Sequence, residues 1–380
     1  MLEPHVILLT THAERIGGVE RATRTLIRAL VELLGRERVG LLSVWAQTES
    51  QPCSVLYGGR GRNGRRVGVL ARALFAAHTL RSAWRWREDG VVLACHPHLA
   101  PVALLARWLF HTPCVVWCHG EEVWGTLRPA VRTAIRRADI VLAPSAFTAR
   151  RVEFTSGLRH GSVRVLPHCL PPELGRLADL PRARSSTNVL TVARLAREHR
   201  YKGVDRLILA WPRVLEEVAA ARLLIVGDGP DRPRLEDLAR DTGVAHALTF
   251  TGAARDADLE SYYSTSSIFA LPSRTSFDPP QGEGFGLVYV EAGAAGLGIV
   301  AERAGAIPEV VTDGETGVLV DPSRPEELPT AIIRLLKDPV LVRRLGRNAR
   351  HRSLTAFSYD RFRSDIESLL RDLIQLRRKG

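Results

Sequence analysis

Short apolar runs alternate along this chain with longer stretches in which apolar residues recur every three or four positions. The short runs read as strands buried on both faces, and the longer stretches as amphipathic helices. In the first half the strands fall at residues 4–10, 39–45, 91–94, 114–117, 140–143 and 163–167. Helices fall between them at about 20–34, 67–87, 99–109, 126–138 and 146–155. Residues 169–185 break the rhythm: they hold Pro171, Pro172 and Pro181 with scattered charges, the composition of a linker. The alternation restarts with strands at 188–192, 222–226, 247–250, 267–271, 298–301 and 318–320. Helices are expected at 203–218, 232–242, 256–264, 325–337, 339–355 and 359–376, with another after Gly286. Strand and helix in turn predict two α/β halves, each with a parallel sheet and an apolar core. Such halves leave a cleft between them as the favoured place for a ligand.

Composition narrows the function. The 380 residues are 45% hydrophobic and 25% charged, as in a soluble globular protein. No apolar run approaches the length of a spanning helix, and the first strand lacks the basic leader of a signal peptide. A cytoplasmic place is expected, peripheral on the inner face of the cell membrane. The five cysteines form no Cys-x-x-Cys pair, so neither disulfides nor a zinc or other metal site is expected. The net charge of +12 suits an anionic membrane surface or a phosphorylated substrate. No zinc-finger spacing or basic recognition helix points to nucleic acid. Residues 46–66 read as a basic loop. The helix at 67–87 carries Arg72, Arg81 and Arg85 with Trp84 and Trp86, a pattern that serves a membrane-lying helix and a packed helix with a solvated face equally.

Candidate chemistry centres on Gly282-Glu283-Gly284-Phe285-Gly286-Leu287-Val288-Tyr289-Val290-Glu291. It follows a strand stopped by Pro272 and opens a helix. Glycines here let backbone approach a ligand, and amides from Gly284 to Leu287 suit sugar or phosphate oxygens. Eight helical residues span about 12 Å, the reach from hexose to ribose in a folded nucleotide-sugar. Glu283 would then meet hexose hydroxyls and Glu291 a ribose diol. Arg194 and Lys202 both follow the strand at 188–192, at the end where α/β sheets bind ligands, and could neutralise a diphosphate. His119 follows another strand and precedes Gly120, where an imidazole can hold a hydroxyl. Gly17 and Gly18 open the first helix, while Gly227 and Gly229 form a second glycine turn.

Glu283 to Glu291 resembles the Glu-x7-Glu motif of family 4 of the retaining glycosyltransferases. Residues 304–311 and 313–320 resemble the segments that follow it. The resemblance implies the GT-B fold: two facing Rossmann-like domains, 1–168 plus 357–380 and 186–356, with a C-terminal helix crossing back. It implies a hexosyltransferase that takes a nucleoside diphosphate sugar, GDP-mannose or a UDP-hexose, as donor and needs no other cofactor. The acceptor would be a hydroxyl of a glycan or polyprenyl-diphosphate-linked lipid in cell-surface polysaccharide or glycolipid synthesis. His119, Arg194, Lys202 and Glu283 then take the catalytic places. Gly17, Gly18, Gly227, Gly229, Gly284, Phe285, Gly286, Leu287 and Glu291 line the donor. The chain departs from the family's pattern in the long segment 273–281, in Gly305-Ala306 for Gly-Gly, and in residues 293–298. The rival readings are an epimerase or hydrolase, a phosphorylase, which needs pyridoxal phosphate on a lysine, and a non-catalytic nucleotide-sugar-binding protein.

Overall fold

The computed structural model describes residues 4–12, 17–45, 54–58, 68–179, 186–254 and 256–379. The chain divides into two compact units, 1–168 with 360–380, and 169–359.

The first unit is built on β1 (His5–His12), β2 (Val39–Trp45), β3 (Ser54–Gly58), β4 (Gly90–Ala94), β5 (Cys114–Trp117), β6 (Ile140–Ala143) and β7 (Arg164–Val165). The strands lie parallel in the order β3-β2-β1-β4-β5-β6-β7. Its helices are α1 (Gly18–Leu34), α2 (Val69–Arg85), α3 (Ala100–Phe110), α4 (Pro129–Arg137) and α5 (Ala146–Ser156). β3 corrects the expectation of a loop over 46–66: the edge strand is short and followed by Gly and Arg, which hid it. The rest of that expected loop, 46–53 and 59–66, lies outside the described residues. β4 and β5 are buried along their whole length, as a parallel sheet covered by helices on both faces requires.

The second unit contains β8 (Asn188–Val192), β9 (Arg222–Val226), β10 (Leu248–Gly252), β11 (Ile268–Leu271), β12 (Ser276–Phe277), β13 (Pro280–Gln281), β14 (Gly298–Glu302) and β15 (Gly317–Val320). Its sheet runs β10-β9-β8-β11-β14-β15, all parallel. The helices are α6 (Val204–Glu217), α7 (Arg232–Asp241), α8 (Asp256–Thr265), α9 (Leu287–Ala294), α10 (Ile307–Val310), α11 (Glu327–Lys337) and α12 (Pro339–Thr355). Trp211, Phe269 and Tyr289 are among the side chains sealed in its core. Leu174 and Leu177, on a 3-10 helix inside the segment expected to be a linker, are buried in this core too. Segment 273–281, expected as a long loop, folds into the antiparallel hairpin β12–β13 with Ser276 opposite Gln281.

The last helix, α13 (Tyr359–Lys379), belongs almost wholly to the first unit. Phe362, Ile366, Leu369 and Leu373 are buried, with Phe362 stacked on Trp117 at 6.3 Å. Arg361 donates to the carbonyls of Pro167 and His168, and Arg164 pairs with Asp372 at 2.6 Å.

Both sheets share one consequence of their order. The strand sequence reverses between β1 and β4, and again between β8 and β11. Connections leave in opposite directions at such a point, which opens a crevice at the carboxyl ends of the two strands.

Candidate active site

In the second unit the segments that follow β8 and β11 hold three of the residues singled out from the sequence, Arg194, Lys202 and Glu283. β8 ends at Val192 and leads to Arg194 and then to a 3-10 turn, Arg197–Lys202. β11 ends at Leu271 and leads through Ser273 and the hairpin to Glu283. The two segments meet where Lys202 Nζ donates to Glu283 Oε1 at 2.6 Å. Ser273 Oγ donates to the same oxygen at 3.2 Å. Both side chains of the pair are largely buried, with 17% and 11% exposure. Burial strengthens the attraction and makes removal of either partner costly. Arg194 lines a pocket with His199, Arg200, Asp205, Asp231 and Arg234. The His199 imidazole is held below its ordinary range by burial first, then by Lys202 and Arg194, which places both cations around it.

A lattice of charges fixes this turn. Asp231 accepts from Arg200 at 2.6 and 3.1 Å and from Arg234 at 2.6 and 3.0 Å. Those bonds, from Arg234 foremost, hold its carboxyl down at about 2 against the opposing effect of burial. On α6, Arg206 pairs with the wholly buried Glu302 at the end of β14. Burial, then neighbouring Arg274, depresses the Arg206 guanidinium to about 10.

Gly227 and Gly229 have a packing reason that the sequence did not show. With φ of 139° and 152°, a Cβ on them would come within 1.8 Å of the Ala193 carbonyl oxygen and 2.1 Å of the Leu195 one. The loop after β9 therefore presses on the Arg194 loop. It bonds to it through Leu195 N to Asp228 O at 3.0 Å.

α9 begins at Leu287, with Gly286 as N-cap at φ 95°. Glu283 to Glu291 is thus half loop and half helix, and the first-turn amides start at Leu287 instead of Gly284. The eight-residue helical span does not hold, because Gly286 adopts a left-handed conformation that interrupts it. Phe285 is buried edge-on against Phe357, at 5.5 Å, so only its backbone can face a ligand. Leu287 is buried and Gly284 half-buried. Glu291 is 3% exposed and accepts from Tyr263 OH at 3.2 Å. Tyr289 OH donates to Leu271 O at 2.8 Å and pins α9 to the end of β11. Ser273, Tyr263, Tyr289, His199 and the Asp231 lattice were not foreseen; only Ser273, directly after the strand-stopping Pro272, carried a local signal.

In the first unit His119 stands two residues past β5. Its Nε2 donates to Cys95 O, just past β4, at 2.9 Å. That bond fixes the tautomer and leaves Nδ1 as an acceptor, buried and without a hydrogen-bond partner among the described residues. The ring packs on Trp117 at 4.6 Å and His168 at 5.5 Å. Burial holds its pKa below 6.5, against Glu122, the Cys95 carbonyl and Glu20. Glu20 lies in the first turn of α1, so the helix opened by Gly17 and Gly18 is felt at His119. A Cβ on Gly18 would meet open space, whereas one on Gly17 would meet only the Glu20 carboxylate.

On α2, Phe75, Thr79 and Ala83 face the core while Leu70, Leu74 and Trp84 are exposed. Trp86 is not part of the exposed face: it stacks on His5 at 4.7 Å. Among the described residues no helix is long and apolar enough to cross a membrane, and no cluster of His, Cys, Asp and Glu could hold a metal.

Comparison with known proteins agrees with this architecture. Residues 179–352 match the family model for glycosyl transferases group 1, and residues 16–174 that for glycosyltransferase family 4. A GDP-mannose-dependent alpha-(1-6)-phosphatidylinositol monomannoside mannosyltransferase of Mycolicibacterium smegmatis is 37% identical over 67% of this chain and 70% of its own. The protein of the same name from Mycobacterium tuberculosis is 31% identical over 81% and 80%. A glycosyltransferase of Rickettsia africae superposes with a TM-score of 0.76 at 17% identity, covering 98% of this chain and 99% of its own. Anabaena Alr3699/HepE, solved with UDP, gives 0.74 at 18% identity over 97% and 99%. With two Rossmann-like sheets, a switch-point constellation of Arg194, Lys202 and Glu283, and these relatives, the chain belongs to glycosyltransferase family 4 and has the GT-B fold.

Proposed function

We propose that the chain is a retaining, metal-independent mannosyltransferase that takes GDP-mannose to a hydroxyl of a phosphatidylinositol mannoside-type glycolipid at an anionic membrane surface. The observation that carries the reading is the Lys202–Glu283 pair at the switch point of the second sheet, with Lys202 and Arg194 both close enough to His199 to hold its imidazole down. The diphosphate takes Arg194 and Lys202, which substitute for a metal in stabilising the leaving charge. Glu283 receives hexose hydroxyls, Glu291 the ribose, and the backbone of Gly284 to Leu287 the remaining oxygens. The open space at Gly18 gives a phosphate room at α1, which Gly17 also opens by backbone alone, and the neutral His119 accepts a hydrogen bond from a hydroxyl at Nδ1.

Glu283 is engaged by Lys202 and Ser273, and Glu291 by Tyr263, an arrangement that suits binding instead of nucleophilic attack. The acceptor oxygen therefore attacks on the face the phosphate leaves. Its bond to the anomeric carbon forms as the carbon–phosphate-oxygen bond breaks. Its proton passes to the departing β-phosphate oxygen, giving glycoside and GDP with configuration retained. The names of the relatives favour GDP-mannose over UDP-hexoses and a phosphatidylinositol acceptor over a polyprenyl one.

The test is incubation with GDP-mannose and phosphatidylinositol monomannoside in chelator, with UDP-hexoses in parallel and the product's anomeric configuration read by NMR. An α-mannoside formed in chelator is expected. Transfer only from a UDP-hexose, a β-linked product, or an absolute requirement for divalent metal overturns the reading.

A further inference from the structure

The charges around Glu283 do not balance. Lys202 is matched by Glu283, and Arg206 by the buried Glu302. Arg274 stands among these pairs with no ion pair and no side-chain hydrogen bond among the described residues. Asp278, on the same hairpin, does not reach it. Yet Arg274 is close enough to Arg206 to press on that guanidinium.

Its backbone is held firmly. Arg274 N donates to Tyr201 O at 2.7 Å, one residue from Lys202. The Pro272 carbonyl packs against Gly203, where a Cβ would come within 2.4 Å. Ser273 is fully buried and bonded to Glu283. The hairpin's other strand leads through Gly282 directly to Glu283. So the hairpin base and the Lys202 turn form one joined wall, and Arg274 is exposed on it. A cation kept beside another cation in a fixed wall carries a like-charge cost that an incoming anion relieves.

We propose that Arg274 is a phosphate-recognition residue of the transfer site, presented by the hairpin to a phosphate oxygen of a substrate. This rests on the function proposed above. The phosphate belongs either to the donor's diphosphate or to the acceptor's phosphodiester. A guanidinium suits both, since it can grip two oxygens at once.

The experiment compares wild type, R274Q and R274K, each checked for an unchanged melting temperature. Steady-state constants are measured with GDP-mannose and with two acceptors, phosphatidylinositol monomannoside and phosphate-free inositol monomannoside. A charge-assisted bond of this kind is worth about tenfold or more in affinity. If R274Q raises KM about tenfold for the phosphorylated acceptor alone, the acceptor phosphate is the ligand. If it raises KM for GDP-mannose with either acceptor and weakens GDP binding by calorimetry, the donor is. R274K should recover part of either loss. Constants within twofold of wild type, or a fall in kcat with both KM values unchanged, overturn the proposal. If wild type transfers nothing from GDP-mannose, the functional reading fails separately. Calorimetry with pyrophosphate and with inositol 1-phosphate then decides for Arg274: weakening of either by R274Q upholds it, and equal affinity for both overturns it.

Discussion

Asp231→Asn tests whether the turn that carries Lys202 is held by charge. In the native protein the Asp231 carboxylate, 5% exposed, is shared between Arg200 and Arg234. Its pKa falls from 3.8 to about 2. At about 1.4 kcal/mol per pH unit, that difference corresponds to roughly 2 kcal/mol of stability. The folded value is depressed, so the contribution is complete above the unfolded value near 3.8 and disappears as pH falls toward 2. Asparagine retains one acceptor but no charge, so D231N should lose most of it at neutral pH. For a unit of this size roughly 2 kcal/mol lowers the midpoint by about 4–8 °C. Differential scanning calorimetry at pH 7, 5 and 3 reads the second unit's transition. A gap between the two proteins that is present at pH 7 and 5 and narrows at pH 3 is expected. Equal midpoints at pH 7, or a gap that widens in acid, would refute the reasoning. Arg200 lies two residues from Lys202, so D231N should also raise KM for GDP-mannose.

Lys202→Met should lower kcat about 10²- to 10³-fold, as loss of a preorganised charge at the leaving group does. It should also destabilise the unit, because Glu283 is left buried and unpaired. The double variant K202M/E283Q should regain melting temperature without regaining rate, and recovery of both would count against catalysis by Lys202. Because burial keeps His119 neutral at pH 7, the rate should stay level through neutrality and drop only at pH values below 6.5. In His119→Asn that acid limb should vanish from the kcat/KM profile. Replacing Arg81 and Arg85 on α2 by Gln should reduce sedimentation with anionic liposomes while leaving transfer to a detergent-dispersed acceptor unchanged; undiminished sedimentation would remove the membrane role of α2.

The sequence was most readable where chemistry and local pattern coincide. The runs at 188–192 and 267–271 announced β8 and β11, and the residue types just beyond them singled out Arg194, Lys202 and Glu283 as candidates. The edge strand β3 was hidden because Ser54–Gly58 is five residues that run straight into glycines and arginines. Partners joined across long separations left no local trace. Glu302 is an ordinary acidic residue at the end of a strand until α6 brings Arg206 to it. Tyr263 and Glu291 belong to different helices, and their bond follows only from tertiary packing. The glycine turn at 227–229 was visible, but its reason, the pressure of the neighbouring Arg194 loop, is a contact between loops that follow two adjacent strands. His119 was legible as a ligand candidate, whereas the freedom of Nδ1 depends on the carbonyl of Cys95.

The place of α13 bears on biogenesis. Trp117 and the carbonyls of Pro167 and His168 belong to the half of the chain that is synthesised early, yet they are covered by Phe362 and Arg361. A nascent chain must therefore hold an unfinished amino-terminal sheet while the whole second unit is translated and folds. The half made first is finished last, and a fragment ending at residue 168 would keep an apolar face for chaperones to shield.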